Sequence, residues 1–220
     1  MLKIFFFIFL GCSLSNDLII IGDYRIEEMG NVLMGVEYSK FSFAYSTRYG
    51  IMTNEPIQYE DYNLKIIGTD IINSLIRVGE EVYNFVQSQL KSAKDGTNVL
   101  FSIGVDCQDR FNDIFVFYGK LADRFPNLNF YVLSIIGVDE SLVSDITNAG
   151  VREFNTRVKN RIEMAEFSNM KYISILNEDE PTKIIVDDKI VDLLNYVSEG
   201  IGFFKAGYAK IFKAMVGWLN

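Results

Sequence analysis

The residues with the clearest chemical potential lie where a short apolar run ends. The run that starts at Leu18 is followed by Gly22, Asp23, Tyr24 and Arg25. A tight turn after a strand is a place where α/β enzymes present a nucleophile, and such a nucleophile needs a general base close to it. The residue presented here is a tyrosine, and the 220-residue chain contains no histidine. The turn therefore indicates a hydrolase scaffold, whereas the composition removes the base that such a scaffold normally uses.

Three further motifs are candidates for the same site. The segment 103–107 contains Gly104 and Asp106, Asn155 lies within a helical pattern, and the segment 199–204 begins with Glu199 and contains Gly202. Open α/β sheets place their sites at the carboxyl ends of strands, so we expect these motifs to meet there.

The elements that would position these motifs alternate along the chain. Short runs rich in β-branched or aromatic residues predict strands at 18–22, 40–45, 98–104, 129–136 and 171–176. Amphipathic patterns predict helices at 70–94, 109–125, 140–167 with an interruption near Gly150, and 204–219. The segments 52–68 and 181–188 are expected to be irregular connections, the first a long loop over the strand edges. This order predicts an α/β protein, a three-layer α/β/α sandwich with a mostly parallel five-stranded sheet.

In order and spacing, the motifs resemble the conserved blocks of the SGNH (GDSL-like) hydrolases, in particular the secreted branch whose first block reads Gly-Asp-Ser-Arg. The resemblance runs from about residue 18 to residue 219 and implies a flavodoxin-like SGNH-hydrolase fold. It equates the nucleophilic serine with Tyr24, the histidine with Gly202 and the triad aspartate with Glu199. The third-block asparagine becomes Asp106. The second-block glycine falls near Thr47 to Gly50, in a register that the sequence leaves open.

The replacements are all at positions that the resemblance equates with catalytic residues. The positions that match the structural residues of the family's pattern are Gly22, Asp23, Arg25, Gly104, Gly200 and Tyr208. Gly202 has no side chain that could take a proton. An ionised Asp106 only accepts hydrogen bonds and would repel a developing oxyanion, and loss of one such donor costs about a hundred- to a thousandfold in rate. Tyr24 carries its oxygen too far from the backbone to attack as serine would. We therefore expect a catalytically inactive pseudo-hydrolase that acts as a ligand- or protein-binding module. Its candidate ligand-binding residues are Asp23, Tyr24, Arg25, Arg48, Gly104, Asp106 and Glu199.

Two alternatives remain open. A rearranged site around Tyr24, Asp106 and Glu199 could act as an esterase, acyl-transfer or glycan hydrolase, since a tyrosine beside a glutamate is the nucleophile pair of sialidases. In that case Arg25, Arg48 and Arg110 could bind a carboxylate. Apart from the resemblance, a flavodoxin-like nucleotide or flavin binder is also compatible with the pattern, although the turn lacks a phosphate-cradling glycine series.

The first residues predict export. Residues 1–15 have one lysine, an apolar stretch and then small residues, which is typical of a secretory signal peptide too short to span a bilayer. The mature unit is then an SGNH-hydrolase-like domain at 16–220, secreted or otherwise extracytoplasmic. The alternatives are lipid attachment at Cys12 and a buried N-terminal strand.

Charge and composition limit the partners. The formal net charge is −8, which disfavours nucleic acid and anionic membranes because both require basic patches. An unknown small molecule, a glycan or a protein is the expected partner, and no transmembrane span is expected. Without histidine and with only Cys12 and Cys107 as cysteines, we expect no metal site, no cofactor and no internal disulfide.

Overall fold

The computed structural model describes residues 16–33, 51–52, 57–59, 62–68, 80–105, 108–178, 180–198 and 202–219. Its strands are β1 (Asn16–Gly22), β2 (Ile51–Met52), β3 (Ile57–Tyr59), β4 (Tyr62–Gly68), β5 (Asn98–Ser102), β6 (Asn129–Leu133), β7 (Met170–Ile173), β8 (Leu176–Asn177), β9 (Glu180–Val186) and β10 (Lys189–Asp192). Its α-helices are α1 (Tyr24–Leu33), α2 (Glu80–Leu90), α3 (Phe111–Arg124), α4 (Asn148–Ala165) and α5 (Lys205–Gly217), with 3₁₀ helices at Gln108–Arg110 and Leu193–Tyr196.

The main sheet has a parallel centre. Its strand order is β2-β4-β1-β5-β6-β7, and β4, β1, β5, β6 and β7 run parallel to one another. The short strands β2 and β3 both pair with β4 in the antiparallel sense. The predicted α/β class with a mostly parallel five-stranded sheet is confirmed.

β1 lies at the centre of this sheet and is covered on both faces. Ile19 and Ile21 contribute to one buried cluster, with residues of α2, α3 and α4, whereas Leu18 and Ile20 contribute to a second, with residues of α1 and α5. Successive side chains of a strand point to opposite faces, so a strand buried on both faces must be apolar throughout. This explains why the run before Gly22 has no polar residue.

Aromatic residues fill the core beneath α3. The Phe101 ring of β5 stacks on Phe130 of β6 at 5.6 Å between ring centroids and lies 4.7 Å from Tyr118. Phe117 contacts the same ring edge-on at 6.1 Å. Phe111, Phe117 and Tyr118 of α3 are buried.

The largest correction concerns the segment 52–68, which was predicted to be a loop. It forms β3 and β4, and β4 pairs with the whole length of β1. Lys65 is a charged residue within the otherwise apolar pattern of β4. Its half-buried ammonium group is satisfied by α2, since it donates to the carbonyl and the side-chain oxygen of Gln89 at 3.4 and 3.1 Å. Burial lowers the pKa of Lys65.

Two other predicted boundaries are wrong. The segment 181–188, expected to be irregular, is mostly β9, which pairs with β8 and β10 in a separate antiparallel sheet. The third helix begins at Asn148 and not at residue 140, because the Thr147 side chain accepts the Gly150 N–H at 3.1 Å and caps α4 there. Gly150 therefore lies in the first turn of α4 and does not interrupt it.

Some predictions fall outside the described residues, namely the strand at 40–45, the leader at 1–15 and the first part of the helix at 70–94. In the part of the chain that the structure describes, no helix combines the length and the apolarity needed to cross a bilayer.

We predict that Phe101→Ala lowers the free energy of unfolding by about 4 kcal/mol, because it leaves a cavity among three aromatic rings. Val116→Ala is the matched control, since Val116 lies on α3 with 53% of its surface exposed, and its effect should stay within about 0.5 kcal/mol. Urea unfolding measures both, and equal losses would contradict the assigned core.

Candidate functional site

The turn after β1 is shaped by close packing. A Cβ atom on Gly22 would lie 2.1 Å from Cγ1 of Ile26 and 2.6 Å from the carbonyl oxygen of Ser102. Only glycine fits at this point. The next residue, Asp23, donates its backbone N–H to the same Ser102 carbonyl at 3.2 Å, so α1 starts directly beside the end of β5.

The Asp23 carboxylate joins that turn to the loop after β5. Its side chain is buried, with 2% of its surface exposed. One oxygen accepts the Arg25 N–H at 3.2 Å, and the other accepts the N–H groups of Gly104 and Val105 at 3.3 and 3.4 Å. A carboxylate at the start of a helix is also stabilised by the helix dipole. The backbone donors at Gly104 and Val105 are therefore engaged by the protein itself.

Arg25 joins the same turn to the loop after β6. Its buried guanidinium donates to the carbonyl oxygens of Ile136 and Gly137 at 2.5 and 2.8 Å and lies 5.1 Å from the centre of the Phe203 ring. These contacts give Arg25 a bracing function. Its predicted contact with a ligand stays a prediction.

Two asparagines of α4 hold the loop after β6 from its other side. The Asn155 side chain accepts from the N–H of Ile135 at 2.8 Å and donates to the carbonyl of the same residue at 2.9 Å. Asn148 makes the equivalent pair of bonds with Val138 at 2.9 and 3.0 Å. Asn155 lies in the helix predicted at 140–167, now α4, and its amide satisfies both backbone polar groups of Ile135.

Gly202 lies two residues before Phe204, the N-cap of α5. The Ser198 N–H donates to the Gly202 carbonyl at 3.0 Å, and Val197 forms an antiparallel bridge with Phe203. Gly202 is buried. A Cβ atom added to Gly202 would lie nearest to Glu28 of α1, whose carboxylate accepts a hydrogen bond from the Tyr208 hydroxyl.

A small cavity lies between the turn after β1 and Tyr208 of α5. Its volume is about 20 Å³, enough for one water molecule but not for a larger ligand. Its polar lining residues are Asp23, Arg25, Ser102 and Tyr208, and the remainder are Ile26, Met29, Val105, Ile135, Ile136, Ile211 and Met215. A ligand larger than a water molecule does not fit within this cavity.

The structure thus brings Asp23, Arg25, Gly104 and Gly202 to one edge of the sheet. Arg48, Asp106, Glu199 and the side chain of Tyr24 lie outside what the structure describes. Arg110 pairs with Asp109 and Asp113 at 3.4 and 3.8 Å, and its contact with a ligand stays a prediction. Among the described side chains, no three carboxylate or thiol groups come together as a metal site would require.

Sequence reasoning missed Glu28. The sequence could have indicated that Glu28 lies on the same helix face as Tyr24, because the two residues are four positions apart and residues with this spacing share one face of a helix. What the sequence lacked was the contact between α1 and the segment before α5, which brings Glu28 and Gly202 together across 174 positions of the chain.

Comparison with known structures shows which fold this arrangement belongs to. A proposed platelet activating factor from Streptococcus pneumoniae has a TM-score of 0.61 and 13% identity, over 96% of this chain and 87% of that one. A GDSL-like lipase from Bacteroides thetaiotaomicron has a TM-score of 0.53 and 12% identity, over 93% and 87%. A proposed acylhydrolase from Bacteroides fragilis has a TM-score of 0.51 and 12% identity, over 93% and 88%.

No family model matches the sequence, and no curated protein matches it either. The structural likeness establishes a fold shared with GDSL-like hydrolases, as the sequence motifs had indicated.

We predict that Asp23→Ala lowers the free energy of unfolding by about 3 kcal/mol, because it strands buried N–H donors in the turn and in the loop after β5. Asp109→Ala is the control, since Asp109 is exposed in a surface ion pair, and it should cost less than about 1 kcal/mol. Urea unfolding compares the two variants. A loss for Asp23→Ala no larger than the control would show that the carboxylate does not brace the site.

Proposed function

We propose that this protein is an exported member of the SGNH-like group that has lost catalysis and acts as a binding module for a small molecule, a glycan or a protein. The observation that carries the proposal is the environment of Gly202. The position that the sequence motifs equate with the histidine is a buried glycine, packed against the carboxylate of Glu28.

A triad hydrolase needs a base that takes the proton of its nucleophile near neutral pH. Glycine supplies none, and the chain has no histidine to supply it from another position. Tyr24 in place of the serine and Asp106 in place of the oxyanion-binding asparagine support the same conclusion. Asp23 and Arg25 hold the loops after β5 and β6 through hydrogen bonds to backbone groups, so these loops do not depend on catalytic side chains.

The ligand class follows from charge. The chain has a formal net charge of −8, and its sequence motifs contain Asp106 and Glu199, while the described part of the site contains the carboxylate of Glu28. Carboxylates accept hydrogen bonds and attract cations, so neutral hydroxylated ligands and cationic ligands are favoured over anionic ones. Export through residues 1–15 would bring the domain to such ligands outside the cytoplasm.

The test of lost catalysis is hydrolysis of p-nitrophenyl acetate by the purified mature chain. We expect no activity above that of a Tyr24→Phe control, because neither variant has a serine nucleophile with a base. Activity well above the control would refute the proposal. If that activity also disappeared in Glu199→Gln, it would instead support the rearranged hydrolase around Tyr24, Asp106 and Glu199.

The test of the ligand class is a thermal-shift series with glucosamine oligomers, N-acetylglucosamine oligomers and galacturonate oligomers, which are cationic, neutral and anionic. A ligand present at a hundred times its Kd stabilises a protein by about 2.7 kcal/mol. We expect stabilisation by a cationic or neutral member and none by the anionic one. Stabilisation by galacturonate oligomers alone would contradict the assignment.

A further inference from the structure

Glu28 lies where a side chain of residue 202 would have to go. A Cβ atom built on Gly202 would be 2.5 Å from Oε2 of Glu28 and 3.4 Å from its Cδ, and 3.0 Å from the hydroxyl oxygen of Ser198. Real Cβ atoms do not approach an oxygen to 2.5 Å. The Glu28 carboxylate thus occupies the space that a side chain at residue 202 would need.

A side chain at residue 202 would meet the Glu28 carboxylate first and the Ser198 hydroxyl next.

Tyr208 holds the carboxylate in this place. Its hydroxyl donates to the same Oε2 atom that meets residue 202. The Tyr208 ring is 2% exposed and packs edge-on against Phe203 at 5.6 Å. The Glu28 carboxylate therefore lies between Tyr208 of α5 and residue 202. Rotating its side chain away from residue 202 would break the hydrogen bond to Tyr208.

The pair is not a sialidase-like nucleophile. A tyrosine nucleophile must meet the anomeric carbon of a sugar, whereas Tyr208 is buried and the cavity beside it has room for one water molecule only. Tyr208 orients Glu28, and the half-buried carboxylate is the polar group that this part of the site presents.

We propose that Glu28 has taken the place of the side chain that residue 202 lacks, so that the site presents a carboxylate there and can seat an imidazole only after residue 28 is shortened. The inference deepens the proposed function, and it rests on that function only in equating residue 202 with the histidine position. Under this proposal, Glu28 of α1 and the glycine at residue 202 both prevent a histidine from occupying the position of the base. A ligand group at this position must donate a hydrogen bond, since a carboxylate only accepts.

The test is a double-mutant cycle measured by thermal unfolding. Gly202→Ala should lower Tm by about 5 °C in the otherwise unchanged protein, because the added methyl group is overpacked against the Glu28 carboxylate. In the Glu28→Ala background the same replacement should lower Tm by about 1 °C or less. Gly217→Ala is the matched control, because a Cβ there has no neighbour within 4 Å, and it should not lower Tm in either background.

The second measurement uses the histidine-free composition. Gly202→His introduces the sole imidazole of the chain, whose NMR signals need no further assignment. We expect nuclear Overhauser contacts between that imidazole and the Tyr208 ring in the Glu28→Ala background, and none while Glu28 is present.

Equal Tm losses for Gly202→Ala in both backgrounds would overturn the proposal, as would the same imidazole contacts with and without Glu28. These outcomes are separate from the activity assay. Hydrolysis of p-nitrophenyl acetate would end the proposed function but would leave the mutual exclusion of residues 28 and 202 to be decided by the cycle.

Discussion

The buried charges of Asp23 and Arg25 are the constraint on which the rest of the site depends. They are separated by one residue at the start of α1, and they face different loops. The carboxylate binds N–H groups after β5, whereas the guanidinium binds carbonyl groups after β6. Buried charges are tolerated only when hydrogen bonds satisfy them, so each loop is held against the end of β1. The sheet edge is therefore rigid for reasons that involve no substrate.

The contacts that hold these loops are thus separate from the side chains at positions such as residue 202. The frame uses backbone groups of the loops, which are present whatever side chains those loops carry. The chemistry depends on side chains at positions such as residue 202, which can change without loosening the frame. At that position the change is coupled to a neighbour, because the carboxylate of Glu28 fills the space that a glycine leaves and Tyr208 holds it there.

Much of the fold could be predicted because its signals are local. The apolar run before Gly22, the amphipathic pattern of α3 and the stripe of Tyr208, Ile211 and Met215 on α5 each reflect burial of one face of one element. β4 was missed because Lys65 interrupts its pattern, and the reason it is tolerated lies at Gln89 in α2. β9 was missed although its partners β8 and β10 are also its neighbours in sequence, because Pro181 and Lys183 interrupt its apolar pattern.

The sequence by itself determined the composition of the site: no histidine, a tyrosine in the turn after β1 and a glycine at residue 202. These are properties of single positions, and they were sufficient to exclude the usual triad and to suggest the fold. Only the tertiary structure decided which side chain lies beside residue 202. Glu28 and Gly202 meet because α1 packs against the segment before α5, and a contact between distant parts of the chain leaves no periodic signal in either of them.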